Sequence, residues 1–218
     1  MAPWIIGKAI VLLGFLLYFE KIGQPRGRIV VKSILSLLFV VTVFLQPDAQ
    51  KAYARWLAAG LILCFWGDVF LALPGMKWFR AGLVAFLMGH LLYVAAFTRL
   101  APGSSWLSFG SLIILAASTG VYLWLRPNLG DMHTPVFAYI VVITVMLFGA
   151  LAVYRQVGLA FSGRAVIFLG AALFYLSDLF VARDQFVKKN FVNRLIGLPL
   201  YYGGQFLLAF SPAFLINN

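Results

Sequence analysis

Charge is what this sequence has least of. Only 11% of its 218 residues are charged, and just six are acids. With 63% hydrophobic residues and a mean hydropathy of +0.98, the chain is far too apolar for a water-soluble globular domain. It is an integral membrane protein. Cysteine is nearly absent as well: Cys64 stands alone, which excludes an intrachain disulfide and a thiolate metal site and leaves a packing role. The two histidines, His90 and His133, fall in different apolar runs without His-x-x-x-His or Glu-x-x-His spacing, so no metal centre is expected. A Gly-x-Ser-x-Gly elbow, a P-loop and a dinucleotide fingerprint are all missing, so no cofactor is expected and serine hydrolase chemistry lacks its marker.

What the chain does have is length of apolar sequence. Eight runs, at about residues 3–19, 28–45, 53–73, 79–97, 106–125, 133–154, 164–182 and 194–216, each approach the ~20 residues a helix needs to cross the hydrocarbon core. Loop chemistry separates them at Gly23-Gln24-Pro25, Gln46-Pro47-Asp48, Pro74-Gly75, Pro102-Gly103 and Arg126-Pro127-Asn128. The expected fold is therefore all-α with eight transmembrane helices in a single domain over residues 1–218, because no loop is long enough for a second one. Glu20-Lys21 follow the first run where a signal peptide would need small residues, so that run is taken as the first span.

The net charge of +11 could suggest nucleic acid, but the Lys and Arg residues sit in short segments between apolar runs and form no basic patch. They obey the positive-inside rule instead. Lys8, Lys51, Arg55, Arg99, Arg155 and Arg164 lie on one side; Lys21, Arg26, Arg28, Lys32, Lys77, Arg80, Arg126, Arg183, Lys188, Lys189 and Arg194 lie on the other. The richer side is the cytoplasmic one, so both termini are expected outside it. A compact chain without a targeting extension points to a bacterial inner membrane.

Among so few acids, Asp68 in Phe65-Trp66-Gly67-Asp68-Val69-Phe70-Leu71-Ala72 stands out. A carboxylate facing lipid at mid-bilayer costs roughly 2.5–3.5 kcal/mol on insertion scales, so it should face the protein interior or a wet cavity. The same pattern returns 110 residues later as Tyr175-Leu176-Ser177-Asp178-Leu179-Phe180-Val181-Ala182, with Gly60 and Leu63 matched by Gly170 and Leu173 in one register. This predicts an internal repeat of two four-helix halves, roughly 1–105 and 106–218. Because four is even, the halves are parallel in orientation and both acids lie in the cytoplasmic leaflet.

Two carboxyls close together in a poor solvent do not both ionise, so one is expected to hold a proton while the other is charged. Such a pair can act as general acid and general base. Gly67 and Ser177, each just before its acid, would let helices approach closely. Gly89-His90 and Tyr93 occupy the fourth run, and Tyr201, Tyr202 and Gly204-Gln205 hold the equivalent place in the eighth. His90 is either a proton carrier or a hydrogen-bonded interior residue, and the tyrosines and Gln205 either line a pocket or hydrogen-bond across helices. Lys32, Asn193 and Arg194 share the cytoplasmic layer, where the two cations suit a lipid phosphate or snorkel to headgroups.

At these residues the chain resembles the YhhN-like lysoplasmalogenase family of small multi-span membrane proteins. The resemblance rests on Gly67-Asp68-Val69-Phe70, Gly89-His90 with Tyr93, Ser177-Asp178 followed by Phe186, and Tyr201-Tyr202 with Gln205, in order from the second helix to the eighth. The family pattern has Lys-Pro at the start of the second helix, whereas here Ser33 follows Lys32. The resemblance implies hydrolysis of the vinyl ether bond of lysoplasmalogens, with a lysophospholipid in the membrane as substrate. Asp68 and Asp178 would be the acid and base, His90, Tyr93, Tyr201, Tyr202, Gln205 and Ser177 the pocket, and Lys32, Arg194 and Asn193 the phosphate end. Two other classes share some features. A lipid or small-molecule transporter would use the acids for proton coupling, though it should have broken helices in both halves; a structural subunit would use them to bind helices together.

Overall fold

The computed structural model describes residues 3–47 and 51–215, and over these the chain is all-α. Eight long helices follow the eight apolar runs: α1 Pro3–Ile22, α2 Pro25–Phe44, α3 Lys51–Ala72, α4 Met76–Phe97, α5 Phe109–Leu125, α6 His133–Tyr154, α7 Phe161–Ala182 and α8 Phe191–Phe214. Asp48 of the second loop and Ile216 at the end of the last run lie outside the described residues.

The boundaries differ from the apolar runs where polar start signals act. α2 begins at Pro25, whose missing N–H costs nothing in a first turn. α8 begins three residues before its run, because Asn190 Oδ1 accepts from Val192 N at 2.9 Å. α5 begins three residues late, where Ser108 and Ser111 cap each other across the first turn at 2.6 and 3.3 Å. A turn of π-helix, Arg183–Val187, closes α7.

By length and composition, six stretches could cross a membrane: Pro25–Phe44, Ala52–Ala72, Met76–Phe97, Phe109–Asn128, Gly130–Tyr154 and Phe161–Val187. α1 and α8 fall outside that set. α8 is the helix in which Asn193, Tyr201, Tyr202 and Gln205 are all buried.

The closest packing is α3 on α4 and α7 on α8, and in both pairs it is backbone against backbone. A Cβ built on Gly60 would fall 3.0 Å from Gly89 O, and one on Gly89 would fall 3.2 Å from Gly60 O. At Gly170 the distance to Gly204 O is 3.0 Å, and at Gly204 the distance to Gly170 O is 2.7 Å. Only glycine permits these crossings. α2 packs on α3 and α6 on α7, while α4–α6 and α2–α8 contacts join the two sets. α1 and α5 stand at the edges, with α5 resting mainly on α6. Its exposed Leu112, Ile113 and Leu115 suit a face turned to lipid.

Candidate active site

A cavity opens at the end of the bundle where α2, α4, α6 and α8 begin, and both Asp68 and Asp178 lie on its wall. It encloses about 1340 Å³ including its open mouth. Lys32, Phe86, Tyr139, Asn193, Arg194 and Tyr201 are among the other wall residues.

The two acids have unequal surroundings. Asp68 is almost fully buried, and Lys32 from α2 places Nζ 3.0 Å from its Oδ1. Its Oδ2 accepts from Ser36 Oγ at 2.6 Å and from Tyr201 OH at 2.5 Å. The hydrogens in this network have fixed directions. Gln205 Nε2 donates to Tyr201 OH at 3.3 Å, which leaves the tyrosine's one proton for Asp68. Ser36 spends its proton on Asp68, so the 3.1 Å contact between Ser36 Oγ and Tyr202 OH must be donated by Tyr202. Behind them, Tyr93 OH donates to Gln205 Oε1 at 2.8 Å. Among the described residues, every group bonded to the Asp68 carboxyl offers it a proton and none accepts one, which is the environment of an ionised carboxylate.

Among the described residues Asp178 has a single hydrogen-bond donor, Tyr139 OH, at 2.6 Å from Oδ2. No cation pairs with it among the described residues, so nothing in its surroundings demands a charge. The two acids nevertheless obey one pattern: each accepts a hydroxyl from the helix preceding its own, Ser36 of α2 for Asp68 of α3 and Tyr139 of α6 for Asp178 of α7.

Of the residues expected at the site, Lys32, Asp68, Asp178, Tyr201, Asn193 and Arg194 share the cavity. Tyr202, Gln205 and Tyr93 stand behind its wall as the supporting network just described. His90 is fully buried in an aromatic box, its ring centroid 4.7 Å from Phe174 and 5.2 Å from Tyr139. Neither of its ring nitrogens has a hydrogen-bond partner among the described residues. Ser177 turns back on its own helix and donates to Phe174 O at 2.7 Å.

The cations expected to hold a phosphate are already engaged. Lys32 pairs with Asp68, and Arg194 bridges Glu20 at 2.9 Å and Asp184 at 2.9 Å. Asn193 joins the same cluster, donating to Asp184 Oδ1 at 3.0 Å and to Lys188 O at 2.8 Å while accepting from Arg183 Nη1 at 2.7 Å. Ser36 and Tyr139 are the residues that sequence reasoning passed over. Ser36 could have been found, since it lies four residues after Lys32 and so shares its helix face; Tyr139 carries no local signal beyond being a hydroxyl in an apolar run.

The YhhN family pattern matches residues 27–212 of this sequence. The chain belongs to the YhhN family. Curated relatives agree with that membership. The chain is 32% identical to the lysoplasmalogenase TMEM86A of Bos taurus over 76% of this chain and 66% of that protein. It is 29% identical to a lysoplasmalogenase of Mycobacterium bovis over 84% and 68%, and 32% identical to the lysoplasmalogenase TMEM86B of Rattus norvegicus over 97% and 82%. The chain thus spans about two thirds of the bovine and mycobacterial relatives and more of the rat one. No solved structure matches it.

Proposed function

We propose that this YhhN-family chain is a membrane lysoplasmalogenase, hydrolysing the vinyl ether bond of a lysophospholipid to a fatty aldehyde and a glycerophospho-base. The observation that carries the mechanism is the unequal pair: Asp68 saturated with donors, Asp178 with one, on the wall of one cavity.

Asp178 carries the proton and gives it to the β-carbon of the vinyl ether. The double bond's electrons form the new C–H bond, and the positive charge is shared between the α-carbon and the ether oxygen as an oxocarbenium ion. The Asp178 carboxylate left behind is held by the Tyr139 hydroxyl and faces the cation, while Asp68 adds a fixed negative dipole with Lys32. Water adds to the α-carbon and returns a proton to Asp178, restoring the acid. The hemiacetal then breaks its bond to the glycerol oxygen, yielding aldehyde and alcohol with no net proton change.

All eight helices are taken to span, as two parallel four-helix halves related by an axis along the membrane normal. The matched Gly60–Gly89 and Gly170–Gly204 contacts support the repeat. The excess of Lys and Arg at the Arg194 end supports a cytoplasmic mouth, with both termini on the far side. A transporter would need helices broken at the acids, whereas α3 and α7 run unbroken past Asp68 and Asp178.

The test is aldehyde release from a 1-alkenyl lysophospholipid by purified protein in detergent. Asp178→Asn should lose at least about 100-fold in turnover, the usual contribution of a general acid. Near-wild-type turnover in Asp178→Asn would sink the mechanism. Absence of aldehyde release from wild type would sink the activity itself.

A further inference from the structure

The cavity is too shallow, measured from its mouth, to hold the substrate's chain beyond the acids. Its deepest wall residues, Phe86, Ile143 and Tyr201, lie ten residues into α4, α6 and α8, or ~15 Å at 1.5 Å per residue. Asp178 is itself four residues, ~6 Å, from the end of α7. A lipid chain is built to cross one leaflet, about 15 Å. Less than that remains below the acids, so a chain attached to the reacting carbon has to leave sideways.

The structure restricts the direction it can take. On the inner side, three hydroxyls tie α5 to its neighbours: Thr144 Oγ1 of α6 donates to Ser118 Oγ at 2.8 Å, and Ser118 Oγ meets Tyr175 OH of α7 at 2.9 Å. The π-helical turn after α7 also rests on α5. Between α4 and α5, by contrast, no hydrogen bond or ring contact is formed among the described residues. Leu125 of α5 and Val136 of α6 belong to an apolar cluster distinct from the main core; Val121 of α5 and Ile140 of α6 pack against it, Leu83 of α4 packs against both clusters, and all five line the cavity. This apolar branch is continuous with the space around Asp68 and Asp178.

We propose that the alkenyl chain leaves the two carboxylates through the groove between α4 and α5, over α6, and that Leu83, Val121 and Ile140 set the chain length accepted. The inference rests on the lysoplasmalogenase reading and names where that substrate's chain lies. The polar remainder of the lipid then points the other way, toward Asn193 and the mouth.

Two measurements test it. The first compares release of aldehyde from a hexadecenyl and a butenyl lysophospholipid by wild type, Val121→Trp and Ile140→Trp. An indole in the groove should lower the ratio of long-chain to short-chain turnover by at least about tenfold, because rejection of misfit apolar groups acts through their lost burial. An unchanged ratio in folded variants overturns the proposal. If wild type releases aldehyde from neither lipid, the activity itself is at fault, and the second measurement then decides the groove alone. A 1-O-hexadecyl lysophospholipid with a diazirine at its chain end is photolysed with the wild-type protein. Adducts in peptides covering residues 76–97 or 109–125 are expected, and adducts confined to α1, α2 or α8 overturn the proposal.

Discussion

Lys32 Nζ lies 3.0 Å from Asp68 Oδ1, joining α2 to α3 by an ion pair in which both side chains are at least nine-tenths buried. Removing one partner strands the other's charge in a site that is at least nine-tenths buried. Lys32→Met should therefore cost about 3–5 kcal/mol of stability, the usual loss on breaking a buried pair. The double variant Lys32→Met with Asp68→Asn should recover most of it, since neither charge remains. Thermal unfolding in detergent reads both, and a single variant as stable as wild type would mean that the pair does not form.

Among the described residues Tyr139 is the one donor to Asp178, at 2.6 Å. Its bond strengthens when Asp178 gives up its proton, because a hydroxyl binds a carboxylate more tightly than a carboxylic acid. Tyr139→Phe removes that gain and little else. A hydrogen bond to a charged group is worth about 1.5–3 kcal/mol, so kcat should fall by roughly 10- to 100-fold. KM should stay nearly level. A raised KM with kcat intact would make Tyr139 a wall of the pocket and not a support of the acid.

The acids themselves were legible in the sequence because insertion into lipid makes a lone Asp costly, and the 110-residue spacing matches Asp178 to Asp68. The order of helices was legible for the same reason, from runs of apolar residues about one bilayer long. Partners were not. Nothing local distinguishes a Lys that snorkels from one that turns inward, so Lys32 suited a phosphate as well as it suited Asp68. Glu20 and Asp184 lie 174 and 10 residues from Arg194, and only the packing of α1 beside α8 brings all three together. His90 illustrates the opposite limit: the sequence flagged it, yet the structure packs it against the Phe174 and Tyr139 rings, behind the cavity wall that Tyr139 helps to form.

Arg194 separates a structural role from a binding one. Its guanidinium spans Glu20 and Asp184, whose side chains are 7% and 8% exposed. Arg194→Ala leaves both carboxylates short of a partner, and Arg28 at 3.8 Å from Glu20 compensates only in part. A drop in melting temperature is expected, with a smaller drop for Arg194→Lys, which keeps the charge but not the fork. If Arg194 served the substrate phosphate alone, the alanine variant would instead raise KM and melt like wild type.

The crossing of α7 and α8 links stability to catalysis through one glycine. A Cβ on Gly204 would meet Gly170 O at 2.7 Å and Phe174 N at 3.0 Å, both of them backbone atoms that cannot rotate away. Gly204→Ala must push α8 off α7, and overpacking of this kind costs about 1–3 kcal/mol. Gly120 on α5 has nothing within 4 Å of its would-be Cβ, so Gly120→Ala should be neutral or stabilise by up to about 1 kcal/mol through helix propensity. The two variants also differ in what they do to the site. Tyr201 and Gln205 flank Gly204 on the same helix and set the hydrogen bonds to Asp68, so moving α8 loosens that network, while Gly120 touches none of it. Gly204→Ala should therefore lower kcat along with the melting temperature. If it melts early but turns over normally, the position of Tyr201 against Asp68 does not matter to the chemistry.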